Sequence, residues 1–281
     1  MKNLFCVFLL INLLACKSSV KLDLPIEDYK KEITALSPED YYSYWKNLND
    51  YDQNIVLNAE TVKAYDSLSL ITLIKSALLY ELKGNDILKV NLNPNNEILF
   101  IHNLIPQSNL DFWPILMKQK EVNNTLLIYP SYQLEGIAGS FYDYSVYGQD
   151  TIYDKLISKL NSRTYGKASD ALINTYLEQK RIYKLSEVEN IGKWKRQRFI
   201  DKPETSELGN FELTKMSDGH YYFRIRNERL NLLETIEKNE SAFIFRVKNE
   251  PFDWYYVLDK TGNLTLYNAK GKVLINYKKA S

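Results

Sequence analysis

Asp259-Lys260-Thr261-Gly262-Asn263-Leu264-Thr265-Leu266-Tyr267 is followed at once by Asn268-Ala269-Lys270-Gly271-Lys272-Val273-Leu274-Ile275-Asn276. The two nine-residue units are near-copies, with glycine fourth and aliphatic residues sixth and eighth. Asp or Asn opens a type I turn, and the glycine supplies the left-handed residue of a bulge, so each unit heads a tight hairpin. Ser217-Asp218-Gly219 repeats this grammar further upstream. Two copies are too few to stack as a solenoid, which needs at least three repeats to bury a core. They make a meander instead.

Working outward, the period of 2 extends through Phe211–Met216, Tyr221–Arg226, Ala242–Val247, Trp254–Leu258, Asn263–Tyr267 and Lys272–Tyr277. That predicts an antiparallel sheet of about six strands. Leu230–Lys238 reads as a short helix crossing between strands. Upstream of Asp201-Lys202-Pro203-Glu204 the period lengthens to about 3.6. Ser37-Pro38-Glu39-Asp40 is a helix start, with a capping side chain, proline at the first position and acids in the first turn. Tyr41, Trp45 and Leu48 share one face of that helix, which is expected to run to about Asn49. A second helix is expected from near Asn58 to a cap at Gly84, with a break at Asp66-Ser67. Residues 87–101 read as a hairpin and 126–129 as a short strand. Residues 150–161, 169–184 and 186–198 read as helices, each opened by Asp or Ser. The fold class is therefore α+β: a helix-rich region over 36–204, then an antiparallel β region over 205–281.

The chain has 281 residues, 45% of them hydrophobic and 25% charged, which excludes wholesale disorder and a polytopic membrane protein. Lys+Arg number 36 and Asp+Glu 35, so a net charge of +1 gives no long-range field to recruit nucleic acid. The run Lys193-Trp194-Lys195-Arg196-Gln197-Arg198 is read as a solvated helix end.

The amino-terminal residues carry the most specific motif. Met1-Lys2-Asn3 precedes the apolar run Leu4 to Ala15, and Lys17-Ser18-Ser19 ends it abruptly. Twelve residues at about 1.5 Å each span roughly 18 Å, too little for a hydrocarbon core of about 30 Å. A positive start, a short apolar run and a small residue before the break are the marks of a secretory signal peptide over 1–15. Leu13-Leu14-Ala15-Cys16 resembles the lipobox of bacterial lipoproteins. The resemblance covers residues 1–16 only. It implies cleavage between Ala15 and Cys16, a diacylglycerol on the Cys16 thiol and an acylated new amino terminus, palmitate being a suitable label. It further implies a lipid anchor in the cell envelope, with no aspartate after Cys16 to retain the protein in the inner membrane, so the outer membrane is expected. Residues 16–35 are polar and are expected to form a tether to a globule beginning near Ser37. The cysteines are Cys6, removed with the leader, and Cys16. A mature chain of this kind has no disulfide, thiolate metal site or cysteine nucleophile.

His102 and His220 are the only histidines, and neither has metal-ligand spacing to another His or Cys. No phosphate loop, dinucleotide fingerprint or nucleophile elbow is present, so no cofactor and no metal are expected. Glu135 and Asp143, flanking the small-residue loop Gly136–Ser140, are the best carboxylate pair if the chain is an enzyme. Solvated loop acids are the plainer reading. Tyrosine is abundant, at 22 residues. If Tyr221–Arg226 and Ala242–Val247 share a sheet, alternation places Tyr222, Arg224, Arg226 and Arg246 on its outer face, a candidate binding surface for a protein or glycan. The expected function is a non-catalytic binding or accessory role at the envelope. The alternatives are an immunity protein against a delivered toxin, or a glycan-directed binding protein or hydrolase.

Overall fold

The computed structural model describes residues 23–84, 86–87, 111, 167–196, 210–225, 229–248 and 253–280. Of the expected hairpin at 87–101 only Ile87 is described, and it is helical and buried; the strand at 126–129, the helix at 150–161 and nearly all of the 103–149 stretch lie outside these residues, as do residues 1–22. The described chain is α+β, with helices followed by an antiparallel sheet.

Helix α1 (Ile26–Ala35) lies inside the stretch expected to be tether. Only Ile26 and Ile33 are buried within it, so its apolar pattern is weak, and Leu24 just before it is buried as well. Its C-terminal end is held from outside: Lys83 Nζ donates to the carbonyls of Thr34 at 2.9 Å and Leu36 at 2.7 Å. A cation placed on otherwise unbonded terminal carbonyls is favourable for charge and hydrogen bonding alike. Ser37 then opens a 3-10 turn, Pro38–Asp40, through a reciprocal cap with Asp40. The turn leads into α2 (Tyr41–Asn58), longer than the sequence suggested. Tyr41, Trp45 and Leu48 share its buried face, continued by Asp52 and Ile55.

Helix α3 (Val62–Lys83) starts where the Thr61 hydroxyl accepts from Ala64 N at 3.1 Å and ends at Gly84, φ +59°. It is unbroken at Asp66-Ser67, because Ser69, Thr72 and Ser76 satisfy their hydroxyls on carbonyls three or four residues back and Asp66 accepts from the Tyr183 hydroxyl at 2.7 Å. Leu70, Leu73, Ile74, Ala77 and Leu79 are fully buried. Helix α4 (Ala168–Ile182) packs on α3 through Leu172 and Tyr176, and Glu81 caps its start by accepting from Ser169 N and Oγ. No helix among the described residues is long and apolar enough to cross a membrane.

The β region is a closed barrel of eight strands in simple sequence order. These are β1 (Glu187–Arg196), β2 (Asn210–Met216), β3 (Tyr221–Ile225), β4 (Arg229–Lys238), β5 (Ala242–Val247), β6 (Tyr255–Asp259), β7 (Leu264–Tyr267) and β8 (Val273–Lys279). All neighbours are antiparallel, and β8 pairs with β1 to shut the barrel. Two expectations are corrected here. The described part of the helix expected over 186–198 is strand β1 (187–196), and the helix expected over 230–238 is strand β4. Their local composition suits a helix, but each is paired on both sides, and closure removes the two exposed edges that a six-stranded sheet would have kept. The β region consequently begins at 187, not at 205.

Side chains fill the lumen. Phe211 stacks on Phe223 at 5.0 Å and 8°, and touches Trp194, Phe245, Tyr256 and Tyr277. These rings come from β1, β2, β3, β5, β6 and β8, so contact among them fixes the radius of the barrel. An eight-stranded barrel is just wide enough for side chains to fill, and here aromatic rings fill it. Trp194 Nε1, buried with its ring, donates to Gly262 O at 2.8 Å and is thereby satisfied.

Candidate functional site

A polar cluster joining two elements lies where the C-terminal end of α4 meets the β2–β3 turn. Arg181 reaches outward from the last turn of α4. Its Nε and Nη2 donate to the two carboxylate oxygens of Glu178 at 2.9 and 2.8 Å, a bidentate pair within the helix. Nη1 donates to Asp218 Oδ2 at 2.6 Å, and Nη2 also donates to the Tyr222 hydroxyl at 2.7 Å. That hydroxyl donates in turn to Asp218 Oδ2 at 2.7 Å. The turn holds Asp218 in place, with His220 N–H donating to Oδ1 at 3.0 Å and Gly219 taking φ +81°. Beneath the polar cluster, Ile182, Met216 and Tyr222 form a small apolar core of their own, edged by Leu185, Leu230 and Leu232.

The electrostatics follow from that geometry. Burial raises the Asp218 carboxyl, but hydrogen bonds from Arg181 and Tyr222 more than offset it, and the group sits below the ordinary carboxylate range. The Arg181 pair holds Glu178 low as well. Burial, reinforced by the bond to Asp218, pushes the Tyr222 phenol above its usual value. Arg181 is held more firmly protonated, chiefly by Glu178. Arg181 joins Glu178, Asp218 and Tyr222, and Tyr222 also bonds Asp218. Such a network positions its members and fastens the end of α4 to the β2–β3 turn.

The residues named from sequence are dispersed. Tyr222, placed on the outer side of the sheet as alternation requires, is fully buried under the end of α4 and is a fastening residue, not part of an open face. Arg224 points to the same side, with its Nη1 3.9 Å from Glu212. Arg246 pairs with Glu234 at 2.9 Å and lies 3.6 Å from Asp253. On β4, Arg224 faces Leu230 and Arg246 faces Glu234, four residues further on. At about 3.3 Å per residue the two arginines stand roughly 13 Å apart along the strand direction, so no single cluster contains both. Arg226 lies outside the described residues, as do Ala15, Cys16, His102, Glu135 and Asp143. No group of three or more His, Cys, Asp or Glu among the described residues could hold a metal ion.

Sequence reasoning missed Arg181, Glu178 and Asp218 as a unit. Glu178 and Arg181 were visible as an i, i+3 pair, but their link to Asp218 spans 37 residues and depends on where α4 ends against the barrel. It missed as well that Lys193 and Lys195 alternate around an inward Trp194, a period-2 signal inside a run read as helical. Comparison with protein-family models, with curated proteins and with solved structures gives no match for this chain.

Proposed function

We propose that the chain is a lipid-anchored protein of the bacterial cell envelope, more specifically of the outer membrane, whose folded part binds and does not catalyse. The observation that carries this reading is the apolar run ending in Leu13-Leu14-Ala15-Cys16, with lysine before it and a polar sequence after it. Chemistry requires cysteine at the last position, since a thiol is needed for the thioether, and a small Ala15 lets a peptidase reach the bond. Two or more acyl chains give stable anchoring, each buried methylene contributing about 0.8 kcal/mol. The packing of aromatic rings against one another inside the barrel supports a binding role on outer surfaces. The mutually satisfied Arg181–Asp218–Tyr222 cluster supports it too, as a strut between helix and barrel.

Metabolic labelling with radioactive palmitate tests the anchor. The wild-type product is expected to carry label and to start at Cys16; Cys16→Ser is expected to carry none and to keep its leader. An unlabelled wild-type product with Met1 intact overturns the reading.

A further inference from the structure

Trp194 points into the barrel, so Lys193 and Lys195 on either side of it point out. Across the closing seam, Tyr277 is inward and Lys278 outward. Lys195 and Lys278 are paired residues in the β1–β8 ladder. Like charges directly opposite each other destabilise a sheet, and neither lysine has an ion-pair partner among the described residues. The seam therefore concentrates repulsion where closure most needs attraction. Around it, Lys193 sits 3.2 Å from Glu212, and the same carboxylate is shared with Arg224 at 3.9 Å. Among the described residues, Glu212 is thus the one carboxylate ion-paired to these four cations. Arg224 adds a buried Nε with no hydrogen-bond partner among the described residues.

We propose that this wall, across β1 and β8 with Lys193, Lys195 and Lys278 beside Arg224, rests on anionic lipid headgroups of the membrane that the Cys16 acyl chains enter. The proposal rests on the anchor reading and adds an orientation to it. Charge complementarity selects the occupant: headgroup phosphates relieve the Lys195–Lys278 repulsion, and a flat lipid surface suits a sheet wall better than a pocket ligand does. Chain length permits it. Asp23 lies seven residue steps after Cys16 and is hydrogen-bonded to Tyr176 at 3.2 Å and paired with Lys180 on α4. Seven residues span at most about 25 Å, so the folded unit stays close to the headgroups.

The test uses the full acylated chain reconstituted in vesicles of phosphatidylcholine, alone or with phosphatidylglycerol as about one third of the lipid. A fluorophore is attached at Asn276→Cys on the seam or, separately, at Glu237→Cys on the far wall, and headgroup-nitroxide lipid serves as quencher. Quenching at 276, but not at 237, is expected only with phosphatidylglycerol, and about 0.5 M NaCl is expected to abolish it. Each lysine near such a surface is worth about fivefold in binding, so Lys193→Glu with Lys195→Glu and Lys278→Glu should lower the docked-to-undocked ratio by at least about 100-fold. The salt arm needs no variant and stands whether or not the triple variant folds. Equal quenching in both vesicle types, or quenching indifferent to salt, overturns the orientation alone. A chain that floats with neither vesicle type overturns the anchor and this proposal together.

Discussion

Removing the Tyr222 hydroxyl is the sharpest test of how the helices are fastened to the barrel. Tyr222→Phe keeps the ring, which fills the small core with Ile182 and Met216, and deletes two hydrogen bonds: the one donated to Asp218 and the one accepted from Arg181. Both involve charged partners, for which a hydrogen bond is worth about 1.5–3 kcal/mol. Asp218 and Arg181 keep each other at 2.6 Å, and their side chains are only 16% and 29% exposed. The net cost should therefore fall near the value for one such bond, about 1.5–3 kcal/mol, instead of the sum of two. Asp218→Asn should cost a similar amount, and because the two changes share a bond, the double variant should lose at least about 0.5 kcal/mol less than the sum. Urea unfolding followed by tryptophan fluorescence and far-ultraviolet circular dichroism measures all four corners of the cycle.

The pH profile is an independent arm of the same test. Asp218 and Glu178 are depressed in the folded state, so their contribution is fully present above the unfolded carboxylate range, about pH 4, and fades as pH falls through the lower folded values. Asp218→Asn should flatten the acid limb and leave the plateau above pH about 5 lower but level. Tyr222→Phe costing less than about 0.5 kcal/mol, or strict additivity of the two variants, would refute a strut at this junction.

Phe211 is the ring on which the lumen converges, and Phe211→Ala should cost about 3–5 kcal/mol, with loss of the near-ultraviolet circular dichroism of the packed rings. A Cβ at Gly192 would meet Trp194 Cη2 at 2.8 Å, so Gly192→Ala should cost about 1–3 kcal/mol and red-shift the tryptophan emission as Trp194 leaves Gly262 O. An unshifted spectrum would mean that the indole yields without leaving the lumen. Thr61→Ala removes the side-chain cap of α3 and should cost about 1 kcal/mol, with Thr61→Ser recovering most of it in the same urea titration.

Strands β2, β3, β5, β6, β7 and β8 were legible because each alternates and most are bounded by turns that only Asp, Asn or Ser with glycine make cheaply. The αL glycines 219, 262 and 271 bear that out, with φ of +81°, +85° and +77°. Helices α3 and α4 were legible as long runs free of Pro and Gly, α3 ending at Gly84 and α4 opening near Ser169, although α3 is buried on most sides and shows little amphipathic contrast. β4 and β1 were not. Leu230 to Lys238 and the stretch after Ser186 hold good helix formers, and their strand state comes from pairing with chain on both sides. The proposed binding face failed as a cluster for a related reason. Alternation correctly gave Tyr222 a side of the sheet, but it carries no information about what covers that side.

Sequence by itself determined the class of each half, the meander at the carboxyl end, and the motif on which the envelope proposal rests. Those features are local: a side-chain period, a turn, a cysteine at the end of an apolar run. Tertiary structure decided that the sheet closes, that Tyr222 is a buried fastening under α4, and that three lysines meet on one wall. Closure joins residues 194–196 to 277–279, and the junction joins Arg181 to Asp218. Pairings over such separations are selected by burial of the whole core and by removal of unpaired edges, and no short window of residues encodes either.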